Sequence, residues 1–184
     1  MKAYHTDHDH EILWITNPKC ASTSITEAIH KSLCYSHDVW DGRSFPLTNY
    51  KHYYTITFIR HPWARIESAI KTVFRDGSLT FAQRIEKHIL CTTPPALDRH
   101  VRPYYFAFQG FDVNFWGRVE TMDADWAWLM EKFPHLVPIP HNNLGKPDHY
   151  PELTDESFDW DSLLPIYQKD IDLYEACDSH NHQE

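Results

Sequence analysis

The chain has 184 residues, 42% hydrophobic and 15% aromatic, with a net charge of −9 when histidine is neutral. That is enough apolar material for the core of a single domain spanning residues 1–184, and the acidic balance argues against nucleic-acid binding, which needs a broad cationic surface. Only five glycines and no low-complexity tract argue against a flexible linker. No apolar stretch near the start has the length of a signal peptide or membrane span, so a soluble cytoplasmic protein is expected. Residues 1–10 and 178–184 are expected to fray. Cys20, Cys34, Cys91 and Cys177 form no C-x-x-C pair, so they are read as free thiols and no metal site is expected. His5, His8, His10, His180 and His182 are read as picking up ions only adventitiously.

The first element is a β-branched and aromatic run, Ile12 to Thr16, that predicts a strand ended by Pro18. It leads through Lys19, Cys20, Ala21, Ser22, Thr23 and Ser24 into a helix, with Ser24 and Glu27 spaced as a capping box. Free amides at such a helix start bind anions through their donors and the helix dipole. A second strand-to-helix junction has the same logic. Tyr53 to Ile59 predicts a buried strand, Arg60 stands at its carboxyl end, and Pro62 opens a helix whose apolar face is Ile66, Ala69, Ile70 and Val73. Open α/β sheets bind ligands at that end of their strands. Ser68 lies two turns into this helix.

Thr80 and Gln83 then predict a capped helix to about Leu90, and residues 91–103 a long loop interrupted by prolines. Asn114 to Val119 reads as a third strand, Asp123 to Phe133 as a helix, and Leu136 to Ile139 as a short strand. The alternation of strands and helices implies an α/β fold with a mainly parallel central sheet flanked by helices.

The two junctions resemble the 3′-phosphoadenosine 5′-phosphosulfate (PAPS)-dependent sulfotransferases, in the carbohydrate sulfotransferase branch. The family's P-K-x-G-S-T-S matches residues 18–24, and its F-V-R-x-P-x-x-R-x-x-S matches Phe58, Ile59, Arg60, Pro62, Arg65 and Ser68. F-W-G-R-V-E at 115–120 is similar to the family's I-G-R-x-E, and an asparagine-containing loop at 141–150 precedes a helix with Tyr167 and Asp170. One departure is Ala21, where the family often has glycine, so the loop must adopt a conformation that alanine tolerates.

The resemblance implies a three-layer P-loop-type fold and transfer of a sulfuryl group from PAPS to a hydroxyl of a carbohydrate or small-molecule alcohol, with 3′-phosphoadenosine 5′-phosphate (PAP) as product and no metal required. Lys19 would face the bridging and leaving oxygens, and the loop from Lys19 to Ser24 would hold the 5′-phosphate. Arg60 and Ser68 would hold the 3′-phosphate, with Arg65 assisting or paired to Glu67 or Glu120, and Lys146 would approach from the C-terminal loop. Trp63 is a candidate cover for the adenine. For the acceptor's proton the candidates are His37, in the loop after the first helix, and His52, just before the second strand. His100 and Arg102 resemble a segment lining the acceptor cleft. Two alternatives remain: a catalytically silent PAP- or PAPS-binding module, and a P-loop nucleotide kinase. The kinase is disfavoured because G-x-x-x-x-G-K-[ST] is missing.

Overall fold

Side chains of Ile12–Thr16 are apolar or β-branched on both faces, and every one is buried, as expected of an inner strand covered on two sides. In the computed structural model, which describes residues 3–32, 37–41, 46–140 and 158–177, this segment is β2. Its hairpin partner β1 (Ala3–Asp7) is antiparallel to it, β4 (Tyr54–Ile59) lies parallel on its other side, and β5 (Phe115–Arg118) is parallel to β4. A further strand, β3 (His37–Asp41), pairs antiparallel with β1, so the five-stranded order is β3-β1-β2-β4-β5. Four strands point the same way and β1 alone opposes them.

Two expectations fail here. Residues 3–7 are not a frayed end: β1 fills an inner position of the sheet, and Tyr4, His5, Thr6 and Asp7 are buried. Residues 136–139 form no strand, because Leu136 serves the core as part of a loop and the carbonyl of Val137 accepts the Trp126 indole N–H at 2.9 Å. The end at 178–184 lies outside the described residues.

The sheet separates two apolar layers. On one face Ile12, Trp14, Ile56, Phe58 and Phe115 pack against helix α1 (Ser22–Ser32) and helix α5 (Met122–Lys132), where Trp126 and Leu129 are buried. On the other, Leu13, Ile15 and Ile59 meet Tyr104 and Phe108, from and just after the short helix α4 (Tyr104–Ala107), and the end of helix α6 (Leu164–Ala176). Large apolar side chains buried this fully contribute about 1.5–3 kcal/mol each. A third cluster joins helix α2 (Pro62–Thr72), helix α3 (Phe81–Ile85) and the wide turn 86–90 to Leu163 and Tyr167. The capping box at Thr80 and Gln83 is present, with both reciprocal hydrogen bonds made. No helix among the described residues is long and apolar enough to cross a membrane.

β5 approaches β4 so closely that a Cβ on Gly117 would lie 2.2 Å from the Phe58 ring. Glycine is therefore required there for packing. The helices that follow β2 and β4 pack in different clusters, α1 in the first and α2 in the third, so the carboxyl ends of these two strands are the place where an open α/β sheet forms its ligand crevice.

Candidate functional site at the carboxyl ends of β2 and β4

The loop leaving β2 is held from below by Asn17, which is buried. Its side-chain amide donates to Thr57 Oγ1 at 2.9 Å and to the Phe58 carbonyl at 3.2 Å, while Thr57 Oγ1 donates to the Ile15 carbonyl at 2.8 Å. With the strand end stapled in this way, the chain turns sharply: Lys19 and Ala21 have φ of 65° and 52°. Left-handed backbone costs a non-glycine residue roughly 1–2 kcal/mol, so the conformation at Ala21 is the one that the glycine of the similar motif adopts freely.

Cys20 is the anchor between them. Its amide donates to the Asn17 carbonyl at 3.3 Å, and its buried thiol lies 3.1 Å from the Tyr104 hydroxyl. Burial pushes the thiol pKa up. Cys20 thus faces the interior and offers no side chain to a ligand, which corrects its place among the phosphate-binding residues.

The helix begins earlier than the capping box suggested. α1 starts at Ser22, the Ala21 carbonyl accepts the first helical hydrogen bond from Ile25, and Glu27 pairs with Lys31 at 2.6 Å. Ser22, Thr23 and Ser24 are therefore the first three helical residues, whose amides have no acceptor within the helix. Ser22 is half-buried, Thr23 exposed and Ser24 buried.

Lys19 crosses from this loop to α2, where its Nζ donates to Thr72 Oγ1 at 2.6 Å. Thr72 in turn donates to the Ser68 carbonyl, so Lys19 meets α2 on the face that carries Ser68. The register of Ile15 opposite Thr57 puts Pro18 and Arg60 at the same level just beyond neighbouring strands. Arg118 ends β5 opposite Ile59, its guanidinium 5.2 Å from the centre of the Tyr174 ring. Lys19, Arg60 and Arg118 make this edge locally cationic within an acidic chain.

Arg65 is different. It is buried, stacked 4.1 Å over the Tyr104 ring, donates to the Arg102 carbonyl at 2.8 Å and lies 3.5 Å from Asp170. Asp170 also accepts the amides of Tyr104 at 2.8 Å and Tyr105 at 3.3 Å, which caps α4 from a distant helix. Burial raises the Asp170 pKa against the opposing pull of Arg65. Tyr104 completes the knot: its hydroxyl donates to the Arg60 carbonyl at 3.0 Å and accepts the Arg60 amide at 2.9 Å. Arg65 holds the crevice together and is paired with Asp170, not with Glu67 or Glu120.

Both candidate bases lie at the wrong edge. His37 heads β3 instead of lying in a loop, opposite Asp7, which itself faces Ile12 at the start of β2. That is about 13 Å of strand away from the carboxyl edge, at about 3.3 Å per residue. His52 precedes β4 at the same end, exposed, 4.0 Å from Glu11 and edge-on to Tyr53. A parallel sheet sends residues that precede its strands to one edge and residues that follow them to the other, so neither reaches Lys19. At the carboxyl edge stand two titratable side chains that sequence reasoning did not weigh as bases: His61, directly after Arg60, and Glu120, which accepts the His61 amide at 3.0 Å.

The segment 91–103 is a folded connection organised by Asp98, whose carbonyl accepts the amides of Val101 and Arg102 and whose carboxylate accepts the amide and ring nitrogen of His100. Arg102 Nε donates to the Leu97 carbonyl at 3.0 Å. Both side chains have local structural partners. Trp63 stacks on Trp160 and meets Tyr167 edge-on in the third cluster, so it belongs to packing. Lys146 and the asparagine-containing loop lie outside the described residues. Asn17, Tyr104 and Asp170 were missed as organisers of the site because their partners are remote in sequence; the Asn-Pro pair ending β2 was the only local hint. No family model, curated protein or solved structure matches the chain.

Proposed function

We propose that this chain is a PAPS-dependent sulfotransferase acting on a hydroxyl acceptor, with the crevice between the β2 loop and α2 as its donor site. One observation carries the reading: Lys19, which the motif resemblance assigns to the transferring group, sits within hydrogen-bond reach of the α2 face carrying Ser68, beside the free amides of α1 and level with Arg60. These are the groups that a 3′,5′-bisphosphate donor requires, and they come from two segments whose approach only folding decides.

Thr72 Oγ1 accepts a hydrogen bond from the Lys19 ammonium at 2.6 Å. In the proposed mechanism Lys19 leaves Thr72 for the oxygens between phosphate and sulfuryl group, where negative charge grows as that bond breaks. The amides of Ser22, Thr23 and Ser24 hold the 5′-phosphate, and Arg60 with the Ser68 hydroxyl holds the 3′-phosphate. Such transfer depends on alignment and charge stabilisation more than on covalent help. His61 and Glu120 become the candidate acceptors of the hydroxyl proton.

A second reading has its own observation. Because His37 and His52 stand at the far edge of the sheet, the crevice also suits a module that binds PAP or PAPS without turnover. Donor titration separates the two: binding of PAP together with sulfuryl transfer from labelled PAPS to a screen of hydroxylated acceptors supports the enzyme, and binding without transfer to any acceptor supports the module. Failure to bind PAP overturns both.

A further inference from the structure

We propose that Asp7, His10 and His135 form a binding site for one divalent transition-metal ion of the zinc type, at the edge of the sheet opposite Lys19. Asp7 ends β1 and is buried. Its Oδ1 accepts the amides of Asp9 at 3.1 Å and His10 at 3.2 Å, which fixes the carboxylate in the turn between β1 and β2. Oδ2 is then directed at two imidazoles, 2.9 Å from His10 Nδ1 and 3.2 Å from His135 Nε2. His135 comes from the loop after α5, so the cluster joins segments from opposite ends of the chain.

The three ligand atoms lie within 4.8 Å of one another. A tetrahedral ion with bonds of about 2.0–2.2 Å places neighbouring ligand atoms about 3.3–3.6 Å apart, so the 3.2 Å separation to His135 nearly fits and His10, at 2.9 Å, must draw back by a few tenths of an ångström. His135 Nε2 is buried and, despite its nearness to Asp7 Oδ2, has no hydrogen-bond partner of good geometry. An ion would satisfy that nitrogen and neutralise the buried carboxylate. Two imidazoles and one carboxylate suit zinc, cobalt, nickel or copper rather than magnesium or calcium, which take oxygen ligands. His10 is 44% exposed, which leaves a path for the ion and room for water at the fourth position. The rings are stacked, with centroids 3.6 Å apart and planes 7° from parallel. One ring must turn about its Cβ–Cγ bond for both nitrogens to aim at one ion, and the exposed His10 is the one free to do so. The bound ion would clip the β1–β2 hairpin to the loop after α5.

Calorimetric titration of the full chain with zinc chloride alone tests the site against background from the other histidines. Wild type should take up one ion tightly; His10→Gln and His135→Gln should each weaken that event by more than tenfold, and His52→Gln should not. Thermal unfolding should shift upward with zinc in wild type but not in the first two variants. Tetrahedral cobalt(II) absorption should appear in wild type and vanish with either ligand. Circular dichroism checks that the variants fold, and both replaced side chains reach the surface. Absence of a stoichiometric event in wild type, or the same affinity in His135→Gln as in wild type, overturns the proposal and leaves two imidazoles sharing protons over one carboxylate.

Discussion

Lys19 Nζ stands 2.6 Å from Thr72 Oγ1 and bridges the loop after β2 to the last turn of α2. A lysine on a left-handed backbone, tied to the helix that carries Ser68, is a cation held ready at the crevice. Lys19→Ala should therefore lower transfer by roughly a hundredfold to a thousandfold, the usual cost of removing one group that stabilises transition-state charge, with the fold retained. Thr72→Val should cost far less, because in the proposed mechanism the threonine touches the ammonium and not the reacting group. Wild-type turnover by folded Lys19→Ala would remove the enzyme reading.

Arg60 and Ser68 should select the donor. Arg60→Ala and Ser68→Ala are expected to weaken PAP by roughly 1.5–3 kcal/mol per lost charge-assisted contact, with little change for adenosine 5′-phosphate. Calorimetry on the two ligands measures the difference; equal losses would show that these residues do not meet a 3′-phosphate.

The Arg65–Asp170 pair should be a stability element. Arg65→Met leaves a buried carboxylate without its cation and should cost about 3–5 kcal/mol by urea denaturation. The penalty should depend on pH. Burial already raises the Asp170 pKa above 3.8, and loss of Arg65 raises it further. A carboxyl that binds its proton more tightly when folded gains stability as pH falls from its folded pKa toward its unfolded value. The cost of Arg65→Met should therefore shrink as the pH is lowered from neutral toward the ordinary carboxylate range; a constant penalty from neutral pH downward would place the effect in lost packing instead.

Gly117 should tolerate no side chain. A methyl group there meets the Phe58 ring, which is itself buried among Ile56, Phe115 and Trp126, and overpacking of this kind costs about 1–3 kcal/mol. Gly117→Ala combined with Phe58→Leu should be less destabilised than the sum of the single variants. Strict additivity in thermal or urea unfolding would mean that the ring moves aside freely.

Local pattern alone determined much of this protein. The buried run at Ile12–Thr16, the strand read as Tyr53 to Ile59 and found at Tyr54–Ile59, the helix opened by Pro62 and the capping box at Thr80 are visible in sequence, because neighbouring residues carry the whole signal for each. Lys19, Arg60 and Ser68 could be singled out for the same reason: each stands at a strand end or helix turn readable from nearby residues. β1 was hidden by its polar composition. Its residues became an inner strand only because β2 and β3 flank it and satisfy its backbone on both sides. The edge of the sheet on which a residue falls was likewise invisible. His37 and His52 lie between the two phosphate motifs in sequence, yet strand direction carries them to the edge opposite Lys19. The Arg65–Tyr104–Asp170 knot and the approach of His135 to the local Asp7–His10 turn were decided by tertiary structure alone, since these partners are remote in the chain. Sequence periodicity reports which way one element faces; it carries no information about which distant side chain will be waiting there.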